Sequence, residues 1–150
     1  MSYLDLADRT WPLLNRVAGL HTRLYRVSGG RIGETIPGVP GKMCLLDHVG
    51  AKSGKKRTAP LLYVRDGDDV VLVASKGGYP KHPAWFHNLK ANPETTVQVG
   101  GERLAVRARV ATAAERKRLW PKAEEAWPGY RTYQARSEGR EIPIVILEPR

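Results

Sequence analysis

Apolar residues in the first part of the chain recur at helical spacing. Leu13, Val17, Leu20, Leu24 and Val27 follow one another at intervals of 4, 3, 4 and 3. With Thr10 as a capping residue and Pro12 in the first turn, this predicts a helix over 10–27. Arg16, Arg23 and Arg26 fall on a different face, so the helix is basic and amphipathic. Its apolar stripe fits either the cover of a core or a seat on a membrane surface. Ser28-Gly29-Gly30 ends the helix, and 31–41 is a Gly/Pro-rich connection. Beyond it the period changes. Short apolar runs at Met43–Val49, Pro60–Arg65, Val70–Ser75, Thr95–Gly100, Leu104–Val110 and Ile142–Leu147 predict six strands. Thr112-Ala113-Ala114-Glu115 is a capping box that opens a helix toward Trp120, and another helix begins near Pro83. Six short strands with hairpin turns and peripheral helices point to a mostly β, antiparallel barrel, because closure removes exposed edges. The strands do not alternate regularly with helices, which argues against a doubly wound sheet.

The 150 residues suit one domain, organised as an N-terminal amphipathic helix over 1–30 and a barrel over 31–150. With 41% hydrophobic and 27% charged residues, wholesale disorder is excluded. The longest uninterrupted apolar run, Val70–Ala74, is far short of the roughly 20 residues that a membrane-spanning helix needs. Asp5, Asp8 and Arg9 interrupt the first residues, which do not read as a secretory signal, so a cytoplasmic location is expected. The lone cysteine, Cys44, excludes an internal disulfide and a cysteine-based zinc site. His82 and His87, five apart, do not share a helical face, and no metal is expected.

Charge changes the picture more. Lys and Arg total 25 against 15 Asp and Glu, a formal charge of +10 that favours anionic partners. Nucleic acid is the less suitable one, since the basic residues gather in loops rather than on aromatic-bearing strand faces or a recognition helix. The densest group, Lys52, Lys55, Lys56 and Arg57 with Ser53 and Gly54 between them, holds no acid and lies between two predicted strands. It fits a phosphate or carboxylate seat, or an ordinary solvated hairpin. A second segment, 75–89, runs from a strand end through Gly77-Gly78 into a helix. There Trp85 and Phe86 can wall a flat ring while Lys76 and Asn88 bond its carbonyls, or Trp85 can simply be core and Asn88 a turn former. In a third, Tyr130 and Tyr133 share a face if the segment is helical, either as proton donors or as packing residues.

Taken together, these segments resemble the deazaflavin-dependent nitroreductase and quinone reductase family. The resemblance rests on Gly50-x-x-Ser53-Gly54-x-x-Arg57-x-x-Pro60-Leu61, Ser75-Lys76-Gly77-Gly78, and Pro83-x-Trp85-x-x-Asn88-Leu89-x-Ala91-Asn92-Pro93. It continues through Glu115-Arg116, Trp120-Pro121, Pro128-x-Tyr130-x-x-Tyr133-Gln134 and Arg140-x-Ile142-Pro143. The resemblance implies a split β-barrel related to FMN-binding barrels, with the deazaflavin coenzyme F-420 as cofactor. That coenzyme carries a phosphate and an oligoglutamate tail, which suits a basic chain. By similarity, Lys52 and Arg57 hold the phosphate, Ser53 and Gly54 shape the loop, and Pro60, Ala74, Ser75, Lys76, Trp85 and Asn88 surround the ring. Ser75, Tyr63, Tyr130 and Tyr133 are implied to face the reaction space. Trp127 stands where the family often has an aromatic residue, sometimes Tyr. The implied activity is transfer of a hydride from the reduced coenzyme to a quinone or an activated nitroaromatic. The alternatives are an FMN- or haem-binding barrel, or a deazaflavin-binding module without turnover. The N-terminal helix is a candidate for peripheral contact with the inner face of the membrane, where quinones reside, as well as for core cover.

Overall fold

A computed structural model of the chain describes residues 3–150. Helix α1 (Tyr3–Ser28) leads into strands β1 (Lys42–Val49), β2 (Lys56–Asp66) and β3 (Asp69–Val73). After one 3₁₀ turn (Lys76–Gly78) come α2 (Ala84–Ala91), β4 (Glu94–Val99), β5 (Glu102–Val110), α3 (Ala113–Ala126), α4 (Gly129–Arg136) and β6 (Ile144–Pro149). The six strands close into an antiparallel barrel in the order β1-β2-β3-β6-β5-β4. β4 returns to β1 through only two pairs, Leu45 with Gln98 and Leu46 with Val97. This is the antiparallel barrel that the turn and strand pattern predicts, of the split-barrel class that the resemblance implies.

Three apolar clusters follow from which strand faces are covered. The barrel interior holds Cys44, Leu46, Val70, Leu72, Val97, Val106, Val145 and Leu147, plugged by Trp85, Phe86 and Leu89 of α2. Outside it, Val71, Ile144 and Ile146 are covered by Leu119 of α3, and Met43 and Leu45 by Tyr25 of α1. Strands covered on both faces read as continuous apolar runs, which is why β1, β3 and β6 show no alternation. β5 has one wet face and alternates: Val106 and Ala108 are buried while Ala105 and Arg107 are exposed.

The capping box forms as expected, with the Thr112 side chain accepting from Glu115 N and the Glu115 carboxylate from Thr112 N. Other expectations need correction. β2 begins four residues earlier than Pro60, because Lys56–Ala59 pair along β1. α3 continues past Trp120 and through Pro121 to Ala126. The last strand starts at Ile144 rather than Ile142, whereas residues 129–136 form the helix that lets Tyr130 and Tyr133 share a face.

The largest correction concerns α1. The helix starts at Tyr3, so residues 10 and 12 are interior to it, and their side chains lie outside the described ones. Its apolar stripe faces away from the barrel: Leu13, Val17, Leu20 and Val27 are 58–85% exposed and Leu24 is 40%. The opposite face docks through polar groups. Tyr25 Oη donates to Met43 O (3.0 Å) and accepts from Gly100 N (2.8 Å). The Arg26 guanidinium reaches Asp47 Oδ1 (2.9 Å), Gln98 Oε1 (3.1 Å) and Thr58 Oγ1 (3.2 Å). Among the described residues, no helix is long and apolar enough to cross a membrane.

Candidate active site

The cleft that the fold leaves open is about 620 Å³, within the range of roughly 300–1,000 Å³ common for small-molecule sites. One wall is β2, through Ala59, Pro60, Leu61 and Leu62; another is the 75–85 segment with Ser75, Lys76 and Trp85. Trp127, Tyr130 and Tyr133 close the third side, His48 of β1 lies in the floor, and Ala18 of α1 and Val39 reach the edge.

Several local devices hold these walls. Gly78 has φ +81 and passes so close to α4 that a Cβ there would lie 2.7 Å from Tyr133 O, so only glycine lets the 3₁₀ turn meet that helix. Arg140 pins the same turn from the other side. Its guanidinium donates to the carbonyls of Ala74 (3.0 Å), Ser75 (2.8 Å) and Tyr79 (2.9 Å), and to His82 Nδ1 (2.9 Å). Because an arginine only donates, His82 is neutral here, and burial beside that cation lowers its pKa. Arg140 is in turn seated by Gln134 and the fully buried Ser137, both bonded to its carbonyl oxygen. Among the described residues the Ser75 hydroxyl has no hydrogen-bond partner.

Tyr130 is 6% exposed and meets Tyr133 edge-on, with ring centroids 6.1 Å apart. Burial drives its phenol pKa well above the usual tyrosine value, so it stays protonated.

The basic loop forms the β1–β2 hairpin. Gly50 N donates to Lys55 O and Gly54 N to Gly50 O, both at 2.9 Å, and Gly54 takes φ +68 in the turn. Lys52 and Arg57 are exposed on it, and Ser53 Oγ accepts from Lys55 N. The hairpin lies beside the cleft, since Arg57 pairs with His48 across the ladder and Ala51 N donates to Asn88 Oδ1 of α2 (2.9 Å).

The structure therefore brings Pro60, Ser75, Lys76, Trp85, Tyr130 and Tyr133 into one cleft, with Lys52, Ser53, Gly54 and Arg57 on the adjoining hairpin. Three predicted residues stand elsewhere. Ala74 is fully buried behind Ser75, and Asn88 spends its carboxamide on Ala51 and His48. Tyr63 packs against the barrel core, as Ala59 and Leu61 also do, but unlike them it does not line the cleft. His48 and Leu62 lack a sequence signal for the cleft; the distance of His48 from any partner in sequence hides its bond to Asn88.

Residues 17–149 match the model of the family described as F420H(2)-dependent quinone reductase. An F420H(2)-dependent quinone reductase of Mycobacterium tuberculosis (strain ATCC 25618 / H37Rv) is 45% identical over 134 residues, 87% of this chain and 89% of that protein. A solved F420-H2 dependent reductase superposes with a TM-score of 0.65 at 46% identity, over 71% of this chain and 93% of that one. A second solved structure, described as a domain-swapped dimer, gives a TM-score of 0.68 at 38% identity over 90% of this chain and 98% of that one.

Proposed function

The chain belongs to the F420H(2)-dependent quinone reductase family, and we propose how its own residues serve that reaction. It is an oxidoreductase that uses the reduced deazaflavin coenzyme F-420 to reduce a quinone. One observation carries the assignment of roles: an apolar, aromatic-walled cleft opens next to a cationic hairpin that contains no acid. A flat ring fits between Trp85 and the Pro60–Leu62 strand, and Lys52 and Arg57 offer the phosphate an ammonium and a bidentate fork.

When bound, the reduced coenzyme supplies the hydride. The protein supplies orientation, exclusion of water and charge stabilisation. Lys76 and Ser75 face the ring edge, with the Ser75 hydroxyl free to bond the ring or the acceptor. Tyr130 donates its phenolic proton toward the oxygen on which negative charge develops, and Tyr133 orients it. Trp127, which has no such proton, packs the acceptor side. Tyr63 has no direct part in this scheme, and Asn88 acts through its neighbours. Activated nitroaromatics are adventitious acceptors of the same site.

The exposed stripe of α1 serves as a peripheral membrane contact. Leu13, Val17, Leu20, Leu24 and Val27 stand outward with exposed Arg16 and Arg23, a combination that suits an anionic lipid surface, and Ala18 of the same helix borders the cleft. An apolar quinone would then pass from bilayer to cleft along one helix. In this scheme 1–30 is the docking element and 31–150 the coenzyme-binding unit.

The test is reoxidation of the reduced coenzyme by menadione, followed by absorbance. A rate above the enzyme-free control is expected. Lys52→Ala with Arg57→Ala should weaken coenzyme binding, whereas Ser75→Ala and Tyr130→Phe should lower kcat more than affinity. Wild-type rates in both of the latter variants would remove those roles. For α1, the protein should float with anionic liposomes; a protein that stays at the bottom sinks that part. A yellow or red preparation would instead favour FMN or haem.

A further inference from the structure

Three residues joined at Asn88 of α2 determine which nitrogen of His48 carries its proton. The backbone N–H of Ala51 lies 2.9 Å from one end of the Asn88 carboxamide. A backbone N–H only donates, so that end is the oxygen, and the amide nitrogen faces His48 Nδ1 at 2.9 Å. An amide nitrogen also only donates, so Nδ1 offers its lone pair. The neutral ring therefore bears its hydrogen on Nε2. Burial and the cation of Arg57, opposite it in the ladder, both hold the imidazole below its ordinary pKa and favour that neutral form; Asp47, next in the chain, opposes them weakly.

His48 is 7% exposed, and it lines the cleft. Among the described residues, nothing hydrogen-bonds to its Nε2, and that atom is not sealed from solvent. A pre-aimed N–H donor thus stands in a mostly apolar wall beside Ala59, Pro60 and Trp85.

We propose that His48 is a coenzyme-contact residue, donating from Nε2 to a carbonyl oxygen or ring nitrogen of the heteroaromatic ring, with Asn88 as the positioning residue that fixes its tautomer. The assignment rests on the deazaflavin reading of the cleft. It also gives a reason for a buried asparagine on α2 that never reaches the cleft itself. Both ends of its carboxamide are used, one to hold the anion-seating hairpin and the other to orient the donor. A neutral N–H donor discriminates by shape and lone pair rather than by charge, which suits a ring carbonyl and leaves the phosphate to the hairpin.

The experiment has two readouts on the full chain labelled with ¹⁵N. Two-bond ¹H–¹⁵N correlations should show His48 neutral and protonated on Nε2 near neutral pH, and titration with oxidised coenzyme should shift Nε2 far more than Nδ1. Asn88→Asp keeps an acceptor for Ala51 N but cannot donate, so it should move the proton to Nδ1 or charge the ring. His48→Leu should raise the coenzyme Kd about tenfold, the size of one lost hydrogen bond. His48→Gln, which can accept from Asn88 while donating into the cleft, should stay within about threefold of wild type. Wild-type protein protonated on Nδ1, or His48→Leu binding as tightly as wild type, overturns the assignment. Absence of any coenzyme binding by wild type, with the Nε2 proton in place, would instead remove the deazaflavin reading and the contact with it.

Discussion

Helices α1 and α3 both lie against the outside of the barrel, yet they hold to it in opposite ways. α3 has few apolar residues and turns most of those past its first turn inward: Leu119, Ala123 and Ala126 are 0%, 1% and 9% exposed, while Ala113 and Ala114 stand in solvent. Polar contacts flank that seam, with Arg118 and Lys122 on Asp66 and Arg109 gripping Glu115 and Glu148. α1 has the clearer apolar stripe and leaves it in solvent, docking instead through Tyr25, Arg26 and a His21 Nε2 bond to Gly33 O. The docking face carries Ala18, His21, Thr22, Tyr25 and Arg26, spaced at i, i+3, i+4, i+7 and i+8 like the stripe but on the other side. Periodicity thus locates a face and says nothing about what the face meets.

Substitutions in the two helices should separate these modes of attachment. The largest loss is expected at α3: Leu119→Ala should cost about 2–5 kcal/mol in urea unfolding, because it opens a cavity against Val71, Ile144 and Ile146. A cost under about 1 kcal/mol there would mean that α3 is not anchored by its core contact. Next is Arg26→Ala, which leaves Asp47 with Thr58 alone and should cost about 1–3 kcal/mol in the same assay. Acid should then act on the α3 side. The arginine and lysine on Asp66 hold its carboxyl near 2, so this pair stabilises the fold above the usual aspartate range. The contribution is lost as pH falls from about 4 to about 2, and Asp66→Asn should flatten the stability profile in that window. Smallest of all is Leu20→Ser on the outward stripe of α1, expected to change stability by less than about 0.5 kcal/mol while reducing liposome flotation. A large stability loss from Leu20→Ser would mean that the stripe is covered within the protein itself.

Much of the barrel was legible because its strands carry turn signals at nearly every junction: Asp66-Gly67-Asp68-Asp69 and Gly100-Gly101-Glu102 both mark real hairpins. The cleft was legible where residues of one segment share it, as Ser75, Lys76 and Trp85 do. Legibility failed where side-chain direction decides. On β2 four consecutive residues, Ala59 to Leu62, line the cleft from both faces of the strand while Tyr63, next along, does not, and a strand covered on both faces gives no alternation to show where the cleft ends. It failed again for His48, whose partner Asn88 stands 40 residues away and whose role depends on a third group, the Ala51 amide. The direction of α1 was hidden for a different reason: its docking is hydrogen-bonded, and hydrogen bonds leave no hydropathy trace.

The Arg140 contacts bear on the thermodynamics of binding. Residues 74–82 are mostly a loop, and a loop that orders only when its ligand arrives subtracts that lost freedom from the affinity. Here one guanidinium already satisfies the carbonyls of Ala74, Ser75 and Tyr79, and Gln134 and Ser137 hold the guanidinium's own backbone in place. The conformational entropy of the segment is given up during folding, so on the proposed reading of the site a ring seated there would meet a wall already held in place. Association should therefore show little ordering penalty in calorimetry, with a heat-capacity change set by the apolar area of the cleft alone.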